Sequence, residues 1–273
     1  MKTVNPKEIQ GAAVQKILQT AVAPRPIALA STIDKDGNVN LSPFSFFNVF
    51  SAKPPVVVFS PARRVRDNTT KDTLENVKQT QEVTIGIVNY KIVQQMSLSS
   101  TEYETSVNEF IKSGLTMKKA DFVKTPLIEE CPVNFECKVL EIKELGQEGG
   151  AGNLVICEII NIHIREEYLN DKGDLDQIKL DLVARLGGNW YSRNDGSNFF
   201  EVPKPLVTKG IGFDQLPNEI KHSKVFTGND LGMLANVETL PQGTYASDEE
   251  THKKAQELLS RALISDAWKL LVS

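Results

Sequence analysis

The chain has 273 residues, of which 40% are hydrophobic and 24% charged, and its formal net charge is −4. This length suits one large or two small domains with a sizeable core, and the composition is that of an ordinary soluble globular protein. The negative charge disfavours binding to nucleic acid or an anionic membrane through bulk attraction, so a phosphate site would have to be local.

The first residues and the cysteines exclude further classes. Residues 1–20 carry four charged side chains and do not resemble a signal peptide. The longest strongly apolar run, Val56 to Phe59, is too short to cross a bilayer. Three cysteines without a CxxC pair and three scattered histidines favour buried, reduced thiols over a disulfide scaffold or a zinc site. We therefore expect no metal site, no membrane or nucleic-acid partner, and a cytoplasmic location.

The first part of the chain predicts short strands. A β-branched strand covers Ile27 to Ile33, and the turn residues Asp34 to Asn38 fold it into a hairpin with Val39 to Pro43. Because proline cannot donate to a strand ladder, the next strand begins after Pro54-Pro55 and covers Val56 to Ser60.

A helix is then predicted from Lys71 to Gln79, capped by Asp72 or Thr73. A strand from Glu82 to Val88 follows, and Tyr90 to Leu115 forms a polar, helix-leaning excursion.

Two long strands, Val133 to Lys143 and Asn153 to Arg165, flank the glycine-rich turn Gly146 to Gly152. Their alternation predicts a half-buried antiparallel sheet, with one set of side chains inward and the other outward. The inward set is Val133, Phe135, Cys137 and Val139, and the outward set is Asn134, Glu136 and Lys138. Strands at this spacing favour a β-barrel over a βαβ sheet.

The chain changes character from Pro203 onward, where prolines and glycines suggest a linker. Ser247 to Glu250 is a capping box that opens a helix with an apolar stripe extending to Leu271. We therefore predict a domain over residues 1–203 and a C-terminal extension with a terminal helix over 204–273. Dinucleotide, P-loop and hydrolase motifs (GxGxxG, GxxxxGK[ST], GxSxG) are absent from the sequence.

The segment from Ser42 to Ser51 contains four phenylalanines and three serines. One interpretation is a core strand with capping serines. The other is a ligand surface, because Ser45, Phe47, Asn48 and Ser51 fall just before a Pro-Pro turn where backbone amides go unpaired. Such amides can hydrogen-bond the carbonyl- and nitrogen-rich edge of a flavin ring.

Residues 61–73 form a basic loop, with four basic side chains against two acidic ones. Arginine binds phosphate with two parallel hydrogen bonds, and a helix start near Asp72 adds free backbone amides. A solvated loop would explain the arginines alone, but together with the helix start and the preceding strand they favour a phosphate site.

These segments carry a resemblance. The order RPI-x-L-x-ST, a hydroxyl- and Phe-rich segment, a Pro-Pro turn, a strand, an arginine loop and Lys71-Asp72-Thr73 resembles the flavin reductase-like family, and Arg185 to Tyr191 resembles a later signature of that family. The match covers about residues 20–200. The resemblance implies a mainly β fold, an FMN-binding split β-barrel with peripheral helices. The C-terminal helical extension predicted above lies outside the match.

The resemblance also implies the positions of the FMN-binding residues. The isoalloxazine and ribityl chain would contact Ser45, Phe46, Phe47, Asn48, Val49 and Ser51. The phosphate would lie among Ser60, Arg63, Arg64, Lys71, Asp72 and Thr73. Trp190 and Tyr191 would approach the ring from its other side or from a partner subunit.

Three functions follow from this resemblance. The first is an FMN-binding oxidoreductase that uses NADH or NADPH, the second a flavoredoxin-like electron carrier, and the third a barrel without cofactor, which the retained Arg63, Lys71 and Thr73 disfavour. We assign no catalytic residue, because hydride transfer to flavin needs orientation and exclusion of water rather than a protein acid or base. His163 is expected to be an ordinary strand histidine.

A homodimer is also expected from the resemblance. The apolar stripe of the C-terminal helix, with Trp268, would be buried either across a subunit boundary or against the chain's own barrel.

Overall fold

The structure is a computed structural model that describes residues 1–104, 107–206 and 208–273. It forms two compact units, Met1–Phe199 (unit 1) and Phe200–Ser273 (unit 2). The parts of the predicted helical excursion and of the predicted linker that fall on residues 105, 106 and 207 lie outside the described residues.

Unit 1 is built mainly from strands, with short helices between them. Its helices are α1 Gly11–Ala21, α2 Asp72–Thr80, α3 Val93–Leu98, α4 Glu109–Ser113 and α5 Gln177–Leu180. Its strands are β1 Ala28–Ile33, β2 Val39–Phe44, β3 Phe47–Ala52, β4 Pro55–Phe59, β5 Glu82–Ile87, β6 Met117–Lys118, β7 Leu127–Ile128, β8 Val133–Glu144, β9 Asn153–Ile164, β10 Leu182–Arg185 and β11 Tyr191–Asn194.

Seven of these strands form one antiparallel sheet in the order β2-β1-β5-β8-β9-β4-β3. Both faces of β1 are buried. Ala28 and Ala30 pack into a core with α2, while Ile27 and Leu29 pack into a second core with α3 and α4. The predicted strands of this sheet are confirmed, and the two cores fix the loops between them.

The predicted outward face of β8 is wrong for two residues, since Asn134 and Glu136 are buried. A register shift between Glu136 and Cys137 breaks the alternation, as a bulge does. The segment before β7 then packs over these side chains. Glu136 accepts hydrogen bonds from the backbone amides of Phe122 and Val123, at 2.6 and 3.0 Å, and the buried carboxylate is thereby satisfied.

The elements that were not predicted include α1 and the hairpin β10–β11, whose connecting loop, residues 186–190, we call the glycine-aromatic loop. The strand β3 was predicted only as one of two interpretations of residues 42–51. The predicted helix at Lys71 is confirmed as α2, but its predicted cap is wrong. Lys71 is the N-cap residue and no side chain caps the helix. The Thr73 hydroxyl instead accepts a hydrogen bond from Asn40 on β2, at 2.9 Å.

Unit 2 is helical, with α6 Asn218–Lys221, α7 Gly228–Ala235, α8 Glu249–Leu259 and α9 Ile264–Leu271. The predicted single terminal helix is wrong. The helix ends at Leu259 and a second one begins at Ile264, and between them Ala262 has a φ of 56°. Asp248, rather than Ser247, caps α8 by accepting from Thr251 N at 2.8 Å. Most of the apolar stripe, including Leu259, Trp268 and Leu271, is buried in unit 2's own core, so it gives no support to a dimer.

Candidate functional site

A cavity of about 400 Å³ lies at the basic loop of unit 1, residues 61–73, which we call the arginine loop from here on. We call it the arginine cavity. It brings together six of the residues predicted from the sequence: Ser45, Phe46, Ser60, Arg63, Arg64 and Lys71. Arg66, which belongs to the predicted basic loop, also lines it, and so do Gln15, Gln19 and Glu102, which were not predicted. Cations thus lie in one cavity with an exposed aromatic ring and two hydroxyls.

The arginine loop is held by its own side chains. Arg63 Nε donates to Asn68 Oδ1 at 2.7 Å, and Arg63 Nη2 donates to the Asn68 carbonyl at 2.6 Å. Asn68 has a φ of 58° and its amide donates to the carbonyl of Gln147 at 2.9 Å. Asparagine tolerates this left-handed conformation better than most residues. The loop conformation therefore depends on Asn68 as well as on the arginines.

An acidic side chain lies among these cations. Glu102 bridges two arginines, with Oε1 3.1 Å from Arg64 Nε and Oε2 3.1 Å from Arg66 Nη2. Desolvation would raise the pKa of Glu102, but the Arg64 hydrogen bond and the charge of Arg66 outweigh it and lower that pKa. Glu102 is therefore an internal anion within the cavity. Its distance from the arginines in sequence gave no local signal of this role.

Lys71 lies at the start of α2 and lines both the arginine cavity and a smaller polar cleft with Asp72 and Thr73. Its pKa is lowered first by partial burial and then by the positive charge of Arg64. Two neighbouring cations repel each other, and an anion between them would relieve this. The free amides at the start of α2 add to the same preference.

Ser45 joins the arginine cavity to a second one of about 330 Å³, which we call the tyrosine cavity. Arg25, which is buried, donates from Nε to Ser45 Oγ at 3.4 Å and from Nη2 to the Leu186 carbonyl at 3.0 Å. The arginine of the RPI motif thus ties the aromatic segment to the glycine-aromatic loop. The motif was recognised in the sequence, but this contact was not.

The tyrosine cavity is lined by apolar, hydroxyl and cationic side chains: Ile27, Pro43, Ser45, Met96, Ser97, Ser100, Arg185, Asn189 and Tyr191. Tyr191, which was predicted to contact the flavin ring, therefore lies in the cavity next to the arginine cavity. Trp190 is 75% exposed and lines neither cavity.

The remaining predicted residues lie on β3. Phe47 packs against the core of unit 1, whereas Asn48 and Val49 are exposed and Ser51 is partly buried. These four side chains line neither the arginine cavity nor the tyrosine cavity.

A separate cluster holds three side chains of the kind that bind metals. Asp121, Glu136 and His163 place one ligand atom each within 4.8 Å of one another. Glu136 Oε1 is already bonded to His163 Nε2 at 2.6 Å and to Asn161 Nδ2 at 3.1 Å, and Oε2 accepts the two backbone amides described above. These bonds engage both oxygens of Glu136, so we assign the cluster to the support of β8.

The comparisons with known proteins agree with this fold. The family model described as flavin reductase like domain matches residues 21–179, more than half of the chain, and the chain belongs to this family. An uncharacterized protein of Aquifex aeolicus (strain VF5) is 37% identical over 190 residues, which cover 70% of this chain and 94% of the relative.

Two solved structures are similar. Nitrilotriacetate monooxygenase component B from Bacillus cereus has a TM-score of 0.69 and 26% identity, covering 74% of this chain and 98% of that one. A protein with a split barrel domain from Shewanella frigidimarina NCIMB 400 has a TM-score of 0.63 and 25% identity, covering 75% and 99%. The predicted family and the mainly β, split-barrel fold are confirmed.

In the described part of the chain, none of the helices has both the length and the apolar character that a membrane span requires.

Proposed function

We propose that this protein is an FMN-binding oxidoreductase that passes reducing equivalents from NADH or NADPH through the flavin to an acceptor. The observation that carries the proposal is the arginine cavity, in which Arg63, Arg64 and Lys71 meet Ser45 and Phe46. A molecule with a phosphate at one end and a flat polar ring at the other matches this lining. Family membership and the likeness to a monooxygenase component support the redox assignment.

The residues of the cavity fit the phosphate of FMN. Arg63, Arg64 and Lys71 offer charge-assisted donors, and the start of α2 offers backbone amides. Asp72 and Thr73 line the adjoining polar cleft with Lys71. The Ser60 hydroxyl oxygen accepts a hydrogen bond from Asn153 N at 3.1 Å. One basic cluster suits one terminal phosphate, so we expect FMN to bind in preference to FAD.

Ser45 and Phe46 would hold the ring, with Tyr191 on the far side of Ser45. FMN, when bound, supplies the redox chemistry, since its ring takes up a hydride and passes the electrons on. The protein's own groups bind, orient and exclude water from the ring. Of the residues predicted on β3, Phe47 is held in the core and the others would contact flavin only if it extends beyond the two cavities.

The alternative is a flavoredoxin-like carrier that binds FMN but receives electrons from another protein. Both functions use the same cavity, and the oxidation of NADH or NADPH separates them. A barrel without cofactor is disfavoured by the four cations that line one cavity with Ser45.

The test is a calorimetric titration of the full chain with FMN, FAD and riboflavin, followed by steady-state oxidation of NADH and NADPH with FMN added. We expect FMN to bind most tightly, riboflavin more weakly, and one nicotinamide to be oxidised. FMN binding without nicotinamide oxidation would favour the carrier. A clear preference for FAD would contradict the proposed phosphate site, and a protein that no flavin turns yellow would contradict the proposal as a whole.

We also propose a homodimer formed by unit 1. The basis is exposed apolar surface on two strands of its sheet, where Val49 and Phe50 of β3 and Ile160, Ile162 and Ile164 of β9 are exposed. Light scattering should give a mass near twice 30.3 kDa. Phe50→Asp together with Ile162→Asp should yield a monomer, whereas a wild-type chain that is monomeric and binds FMN would contradict the dimer.

A further inference from the structure

Two arginines at the hairpin β10–β11 make the same stacking contact but have different partners. Arg193 lies over the ring of Tyr90, 3.8 Å from its centroid, and pairs with Asp181 through Nε and Nη2, both at 2.8 Å. Arg185 lies over the ring of Tyr191, 4.6 Å from its centroid, and Nη2 donates to the Gly188 carbonyl at 2.9 Å. Among the described residues, Arg185 forms no ion pair.

Arg185 is fixed in place beside a second cation. Its backbone exchanges hydrogen bonds with that of Arg25, both at 2.9 Å. The side chain of Arg25 is bonded to carbonyl and hydroxyl oxygens, and the described part of the chain offers it no carboxylate within ion-pair distance either. Two guanidinium groups without a carboxylate give this part of the chain a positive potential.

The side chain of Arg185 lines the tyrosine cavity. Four of the five donors of a guanidinium remain once the bond to Gly188 is made. The same cavity has apolar walls at Ile27, Pro43 and Met96, and its volume of about 330 Å³ suits a small ligand rather than a polymer. A flat apolar body with one anionic group matches this combination.

We propose that the tyrosine cavity binds a planar organic acid, with Arg185 pairing its carboxylate and the apolar walls holding its ring. A planar guanidinium fork can pair with a carboxylate through two parallel hydrogen bonds, whereas a neutral ring offers it no charge. Because this cavity shares Pro43 and Ser45 with the arginine cavity, the acid would lie beside the flavin. A role of the acid as a second substrate of the enzyme rests on the proposed function, whereas the binding site itself does not.

The experiment measures the binding of benzoate and of benzamide to the full chain, with and without FMN, by calorimetry or ligand-observed NMR. Benzamide has nearly the shape of benzoate but no charge. We expect benzoate to bind at least about tenfold more tightly than benzamide. Equal affinities, or displacement of benzoate by an equal concentration of inorganic phosphate, would overturn the ligand class.

The variants locate the site. Arg185→Gln should lower benzoate affinity by at least about tenfold, and Arg185→Lys should lower it less, because a charge remains without the planar fork. Arg193→Gln is the matched control, since it removes the other stacked arginine and should leave benzoate affinity unchanged. Benzoate affinity unchanged in Arg185→Gln would overturn the proposal.

The FMN titration of the same variants separates this inference from the proposed function. FMN affinity should be unchanged in Arg185→Gln, because Arg63, Arg64 and Lys71 are intact. Arg185-dependent benzoate binding in a chain that does not bind FMN would uphold the site and contradict the flavin assignment. FMN binding with no Arg185-dependent benzoate binding would do the reverse.

Discussion

The two units bury different kinds of side chain. Unit 1 encloses many polar and charged groups, among them Arg25, Glu109 and Glu136, whereas the described residues of unit 2 bury only Asp230 and His252. In unit 2 both groups tie helices together. Asp230 belongs to the capping box of α7, and His252 lies between Ser223 Oγ and the Ala246 carbonyl, at 2.8 Å each.

In unit 1 the buried polar groups hold the segments that frame the cavities. Arg25 reaches Ser45 and Leu186, and the Glu109 carboxylate accepts from Leu41 N on β2 at 2.9 Å. Burying such groups is unfavourable unless each is hydrogen-bonded, so their abundance marks the unit in which position matters most. The arginine and tyrosine cavities are lined by unit 1 alone. The core of unit 2 is formed by apolar side chains.

The largest expected effect comes from a substitution in the apolar core of unit 2. Trp268 is buried, and its Nε1 donates to the Leu234 carbonyl at 3.3 Å. Trp268→Ala should lower the free energy of unfolding of unit 2 by about 3–5 kcal/mol. Differential scanning calorimetry should show one transition moving to lower temperature and the other unchanged.

The exposed Leu270 on the same helix provides the control, since Leu270→Ala should change stability by less than about 0.5 kcal/mol. A single transition that moves as a whole would show that the two cores do not unfold separately.

The second prediction concerns the polar side. Burial would raise the pKa of Glu136, but hydrogen bonds from His163 and from the amides of Phe122 and Asp121 outweigh it and lower that pKa from 4.5 to about 2. A lowered pKa means that the folded state favours the charged carboxylate. This contribution is complete above pH 4.5 and is lost as the pH falls toward 2.

Glu136→Gln should therefore destabilise unit 1 at pH 7 by about 1.5–3 kcal/mol, the range for hydrogen bonds to charged groups. The difference from wild type should shrink at pH 3, as measured by urea unfolding. Glu141→Gln, an exposed change on the same strand, should have no such pH dependence. A penalty that is the same at both pH values would mean that shape rather than charge matters.

The sheet could be predicted because its signals are local. Alternating strands and turn residues fixed β1, β2, β4, β5, β8 and β9 without reference to distant parts of the chain. The strand β3 could not be predicted in the same way, since its consecutive residues Val49 and Phe50 are both exposed and show no inward alternation. Its identity comes from pairing with β4.

The candidate site was predictable only where its residues are close in sequence. The basic loop was visible as a cluster, but the bridging carboxylate of Glu102 is 38 residues from Arg64, and the contact of Arg25 with Leu186 spans 161 residues. The break at Ala262 occurs without glycine or proline, so only packing decides it. Contacts of this kind depend on the finished fold.

The third prediction tests whether the arginine cavity of unit 1 binds phosphate. Arg63→Ala and Lys71→Ala should each weaken FMN binding by about 1.5–3 kcal/mol, while riboflavin, which lacks the phosphate, should bind as before. Lys78→Ala is the matched control, because Lys78 does not line the cavity. Equal losses for FMN and riboflavin would show that these side chains do not contact phosphate.

The smallest expected effect concerns Glu102, which is the one carboxylate among the described residues that line the arginine cavity. It occupies donors of Arg64 and Arg66 that a phosphate would use, so FMN has to compete with it. Glu102→Gln keeps the shape and removes the charge. FMN binding should therefore tighten by no more than about fivefold in Kd, and the gain should fall as ionic strength rises.

Riboflavin and the control Glu167→Gln isolate this effect. Riboflavin affinity should not change in Glu102→Gln, because its tail carries no charge to compete with the carboxylate. Glu167 also pairs with a cation, Arg165, but does not line the arginine cavity, so its substitution should leave FMN affinity unchanged. Weaker FMN binding in Glu102→Gln would mean that the carboxylate organises the two arginines for the phosphate, and the internal anion would then belong with the supporting groups of unit 1, alongside Glu109 and Glu136.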